Sequence, residues 1–85
     1  MLPGRKHPEI VMPLVKLKRG EKGHIDYLQA KDSGQMHKLM SIGAIPGISI
    51  TLLQRFPSYV FKIGQSQFAV DKELASAIYV RLNKI

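Results

Sequence analysis

The sequence predicts a mainly β fold, a small barrel of five to six short antiparallel strands with one short inserted α-helix and a helical turn before the last strand. Three observations predict it. Short runs alternate apolar and polar residues, most clearly over residues 48–53 and 78–82. Glycines and prolines separate these runs at positions suited to turns. The whole chain is 85 residues, enough for one core, and a sheet closed on itself encloses such a core with few exposed edges.

The elements follow in order. Residues 1–11 read as a flexible N-terminal arm, since Pro3, Gly4 and Pro8 interrupt regular structure around the basic cluster Arg5, Lys6 and His7. One compact domain is expected over residues 12–85. Residues 14–18 read as a short extended segment. Gly20 and Gly23, set among charged residues, suit a tight turn with a left-handed backbone position. A strand is expected over residues 23–30, with Ile25, Tyr27 and Gln29 on one face and His24, Asp26 and Leu28 on the other.

The helix comes next. Asp32 or Ser33 can cap its first N–H groups, and Met36, Leu39 and Met40 fall on one face at i, i+3 and i+4. Gly43 sits where a helix ends in the left-handed conformation, and Lys38 lies near the negative end of the helix dipole. Pro46-Gly47 has the residues a type II turn demands. Ile48, Ile50 and Leu52 then alternate with Ser49, Thr51 and Leu53 as a strand. After Pro57-Ser58, residues 59–63 form a β-branched and aromatic strand, and residues 67–70 return antiparallel through a hairpin at residues 64–66. Asp71 caps a single helical turn through Leu74 and Ala75, and residues 78–82 make the last strand.

Composition excludes several function classes. There is no cysteine, which removes disulfides, iron–sulfur clusters and thiolate zinc sites. Thirteen Lys and Arg against six Asp and Glu give a net charge of +7, which attracts acidic partners without choosing among nucleic acid, anionic lipid and protein. The basic residues are dispersed, and most read as solvated strand faces and loops. No apolar run approaches the roughly 18 residues of a bilayer span, and the N-terminus has no continuous apolar segment of the secretory kind. A cytoplasmic location without membrane insertion is expected.

Three segments resemble the FeoA family, the small cytosolic components of bacterial ferrous-iron uptake. They are Leu14-x-x-Leu17-x-x-Gly20-x-x-Gly23; then Leu39-x-x-Ile42-Gly43-Ala44-Ile45-Pro46-Gly47-x-x-Ile50; then Phe61-x-Ile63, Phe68-Ala69-Val70 and Ala75-x-x-Ile78-x-Val80. The second is the most specific. Where the family commonly has a basic pair before the helix leucine, this chain has His37-Lys38. The resemblance implies an SH3-like barrel, which also occurs as the C-terminal domain of metal-dependent repressors of the diphtheria-toxin-repressor type. It also implies a role in iron transport, as an accessory that binds and modulates the cytosolic GTP-binding part of the FeoB transporter.

No catalytic constellation stands out. The chain has no P-loop, no Gly-x-Ser-x-Gly and no His-Glu-x-x-His, and it is not expected to be an enzyme. His7, His24 and His37 fall on different elements, so surface histidines are the plainer reading; no metal ligand and no cofactor are assigned. Met36 and Met40, one turn apart, read as core packing rather than as soft ligands.

Partner binding is the chemistry that fits. Arg55, Phe56 and Tyr59 flank the Pro57 turn, where aromatic and arginine anchors would lie together at a loop end. Leu39 and Ile42 on the helix offer a second docking surface. The competing reading is a basic nucleic-acid-binding or metal-responsive regulatory module. It is weakened because only Tyr27, Phe56, Tyr59, Phe61, Phe68 and Tyr79 are aromatic, and several must fill the core. A third reading is a homo-oligomeric scaffold, given the small core of so short a chain.

Overall fold

The computed structural model describes residues 9–83. Six strands form one antiparallel sheet: β1 (Glu9–Pro13), β2 (Lys22–Leu28), β3 (Ser49–Gln54), β4 (Tyr59–Ile63), β5 (Ser66–Val70) and β6 (Ile78–Asn83). Their order in space is β1-β6-β2-β3-β4-β5. Helix α1 (Ser33–Ser41) is inserted between β2 and β3, and α2 (Lys72–Ser76) between β5 and β6. The expected mainly β architecture, with one inserted helix and a helical turn before the last strand, is the observed one.

The sheet wraps a single core. Ile25, Ile50, Leu52, Phe61, Ile78 and Val80 are fully buried from the strands, and Leu39 and Ala75 from the helices. Leu14 and Leu17 join them through a 3-10 turn, Leu14–Lys16, where an extended segment was expected from the sequence. The i, i+3 spacing of the two leucines explains the difference. A 3-10 turn places such positions one above the other, so both side chains enter the core together.

The N-terminal boundary also differs. The expected arm, residues 1–11, falls partly outside the described residues. Glu9 to Val11, however, belong to β1 and pair with Asn83 to Arg81 of β6. Ile10 and Val11 supply extended, β-branched residues that the preceding Pro8 had masked in the sequence reading.

Strand β2 carries a second departure. Its register against β6 shifts between Ile25 and Tyr27, so Asp26 forms a bulge and the alternation of faces reverses after it. Tyr27 therefore leaves the face of Ile25, stands 42% exposed, and stacks on Tyr79 with ring centroids 4.6 Å apart. Asp26 accepts from the Arg81 guanidinium at 2.9 Å. At Gly23 the main chain crosses β6 so closely that a Cβ there would lie 2.6 Å from the Arg81 carbonyl oxygen. This glycine is needed for close approach within the sheet; the turn itself uses Gly20, with φ +90°.

The helix ends follow the sequence signals. Asp32 Oδ1 accepts the Gln35 N–H at 2.8 Å, and Asp71 Oδ1 accepts that of Leu74 at 2.8 Å. At the C-terminus of α1, Ala44 N–H donates to Leu39 and Gly43 N–H to Met40, with Gly43 at φ +86°, a Schellman closure. Ile48 N–H then donates to Ile45 across Pro46-Gly47, and Gly47 N–H ties that type II turn to Ile25 of β2. Of the expected apolar stripe on α1 only Leu39 reaches the core. Met36 and Met40 are 36% and 50% exposed, which corrects the reading of both as core. The nine-residue helix touches the barrel along a narrow line, and residues on either side of Leu39 flank it.

Candidate functional site

The link from β3 to β4 is short and braced. The Arg55 guanidinium donates to the carbonyls of Leu17 (3.2 Å) and Val15 (3.1 Å), and the Gln54 side-chain amide donates to Ser58 O at 3.4 Å. Between these anchors Phe56 stands 84% exposed, more than any other large apolar residue described. Tyr59, the first residue of β4, packs partly against the core. Arg55, Phe56 and Tyr59 line one groove of about 550 Å³ whose opposite wall is Ala69, Val70, Asp71 and Lys72. The turn residues singled out in the sequence are thus brought together, although the charge of Arg55 is engaged by the fold rather than free for a partner.

The helix candidates separate. Leu39 is fully buried beneath α1 and offers nothing to a partner, which corrects its place among the contact residues. It is the one position of the helix that faces the core, so its burial is what holds α1 on the sheet. Ile42 is half-buried and lines a second, larger groove of about 800 Å³ between α1 and β5. Both grooves share Ala69, Val70 and Asp71, so they open side by side along the end of β5. The sequence reading missed this β5 wall. Phe68-Ala69-Val70 reads as an ordinary hairpin strand, and nothing local marks it as the last strand of the sheet.

No group of three or more His, Asp or Glu residues capable of holding a metal occurs among the described residues. Asp26, two residues from His24, is engaged by Arg81. His7 lies outside the described residues. Lys31 and Glu73 form an exposed ion pair at 2.5 Å over the larger groove, and this partner holds the Lys31 ammonium pKa above its ordinary value. Among the described residues no helix is long and apolar enough to cross a membrane.

A six-stranded antiparallel sheet wrapped around one core, with two inserted helices, has the form of an SH3-like fold. The chain belongs to the FeoA family: the FeoA domain model matches residues 12–82. A crystal structure of an iron uptake regulatory protein (FeoA) superposes with a TM-score of 0.76 at 30% identity, covering 86% of this chain and 99% of that one. The Stenotrophomonas maltophilia FeoA complexed with zinc, described as a procaryotic SH3 domain protein, superposes at 0.74 over 87% of this chain and 99% of that one. At 15% identity it speaks to the fold alone. A curated relative from Leptolyngbya boryana, "Putative Fe(2+) transport protein A", is 38% identical over 47 residues, 55% of this chain and 57% of that protein. The match thus spans just over half the length of that relative.

Proposed function

We propose that this protein is an accessory of ferrous-iron uptake that binds the cytosolic GTP-binding part of an FeoB-type transporter through the Phe56 turn and modulates it. The observation that carries the reading is Phe56 itself. A phenylalanine held in water by a turn braced at Arg55 and Gln54 costs the free protein apolar burial, and a partner that covers it recovers about 1.5–3 kcal/mol. Such rigid aromatic anchors are where interface energy concentrates. FeoA membership, and a relative named a putative Fe(2+) transport protein, support a ferrous-iron transporter as the class of partner.

The nucleic-acid reading has less to work with. Phe61 is in the core with Phe68 against it, and Tyr27 and Tyr79 stack on each other, so few rings remain free for bases. The test is titration calorimetry of the wild type and Phe56→Ala against the transporter's cytosolic domain. A loss of tenfold or more in affinity, with the far-UV spectrum unchanged, supports the reading; equal affinities reject this surface.

A further inference from the structure

Strand β5 is the last of the sheet, and its outer edge has a definite chemistry. In a two-residue hairpin the residues flanking the loop, here Ile63 and Ser66, exchange both main-chain hydrogen bonds, and the pairing alternates from there. Ser66, Phe68 and Val70 therefore turn their N–H and C=O groups toward β4, while Gln67 and Ala69 turn theirs outward. Among the described residues no main-chain bond reaches either outward residue. Two donors and two acceptors thus repeat along the edge at about 7 Å, the two-residue repeat of a strand.

Open edges are usually blunted by lysine, proline, a bulge or an inward charge. Strand β5 reads Ser-Gln-Phe-Ala-Val and pairs with β4 without a register shift, so it carries none of these devices. The opposite edge strand, β1, ends in Pro13, which has no N–H to offer. The β5 edge also borders the larger groove, with Gln35, Lys38 and Ile42 of α1 as its far wall.

We infer that this groove takes an extended peptide segment of a partner protein, paired to β5 as a seventh strand. An extended backbone is the occupant whose own donors and acceptors repeat at the spacing that Gln67 and Ala69 present. The groove lies between β5 and α1, so a strand added to the β5 edge lies beside the helix. The peptide residue opposite Phe68 places its side chain toward half-buried Phe68, Ile42 and Leu74, so an apolar residue is required there. The groove's lining carries both signs, Lys31 and Lys38 with Asp32, Asp71 and Glu73, so main-chain pairing rather than charge selects the segment. The inference does not depend on which protein supplies the segment, and it stands or falls apart from the role of Phe56.

The test uses the whole chain and a blocked heptapeptide, Glu-Val-Thr-Val-Thr-Val-Glu, as the probe. Hydrogen exchange and amide NMR signals are followed residue by residue. In the free protein the amides of Gln67 and Ala69 exchange at least tenfold faster than those of Phe68 and Val70; with the probe they slow and shift. A second probe, N-methylated at both threonines, keeps every valine but loses the amides that pair with β5, and its affinity falls at least tenfold. Ala69→Pro removes only an outward N–H, so the sheet stands and the response is lost. Should that variant misfold, the methylated probe still decides. The inference is overturned by millimolar probe that leaves Gln67 and Ala69 unchanged, or by equal binding of the two probes. It is equally overturned by protection of these amides that appears without peptide in a species of twice the monomer mass, which would make the occupant a second copy.

Discussion

Arg55 donates to the carbonyl oxygen of Leu17, 38 positions earlier in the sequence, and so binds the end of β3 to the 3-10 turn that fills one end of the core. A second bond from the same guanidinium to Val15 makes the contact a fork. Arg55→Ala leaves two carbonyls without these partners and is expected to lower stability by about 1–2 kcal/mol in urea unfolding. Arg55→Lys restores little of it, because an ammonium cannot reproduce the fork. A binding role alone would leave stability unmoved.

Gly23 is expected to tolerate no side chain. In Gly23→Ala the new Cβ meets the Arg81 carbonyl oxygen at 2.6 Å and the Val80 and Leu82 side chains at 2.7 Å each. The first of these is backbone and cannot step aside without opening β2 from β6. A loss of roughly 1–3 kcal/mol or more is expected from overpacking of this kind, read as a lower midpoint in chemical denaturation. Alanine at Gly34, whose Cβ would find only ordinary contact with the Asp32 side chain, serves as the control and changes little.

Both helices depend on an aspartate at the N-cap. Asp32→Ala and Asp71→Ala should each cost about 1 kcal/mol, and Asn at either position should retain most of it. Thermal unfolding followed by circular dichroism checks both. The Asp71 change has a further consequence, because Asp71 also lines both grooves.

The Lys31–Glu73 pair gives a prediction in pH. The hydrogen bond that Lys31 donates to Glu73, followed by the charge of that carboxylate, raises the Lys31 pKa above its ordinary value in the folded protein. A raised pKa means that the pair's contribution is fully present below the unfolded value and is lost as pH rises through the folded one. Both groups are exposed, so the effect on stability is small. Titration of the Lys31 side chain by NMR should show the elevated value in the wild type and a lower one in Glu73→Gln.

Much of the fold was legible because its signals are local. The Asp32 and Asp71 caps, the Gly43 closure and the Pro46-Gly47 turn each rest on residues within a few positions of one another. What was illegible depends on distant contact. The bulge at Asp26 arises from pairing with β6, 55 residues away, and it moves Tyr27 to the opposite face. Burial of Leu39 without Met36 and Met40 reflects how narrowly α1 rests on the sheet, which helical periodicity does not report. The site divides in the same way. The grouping of Phe56 with Arg55 and Tyr59 at a proline turn could be read from the chain, whereas the exposure of Phe56 and the β5 edge could not, since both are properties of the whole sheet.

The most direct measurement is a pull-down of this protein against the cytosolic domain of an FeoB-type transporter from the same host, at 50 and 200 mM salt, with duplex DNA as a parallel bait. Retention on the transporter domain at both salt concentrations, reduced by Phe56→Ala, is the expected result, because an interface with an apolar centre is only weakly screened. Retention on DNA alone, falling by orders of magnitude between the two salt concentrations as counterion release requires, would contradict it and assign the +7 charge to nucleic acid.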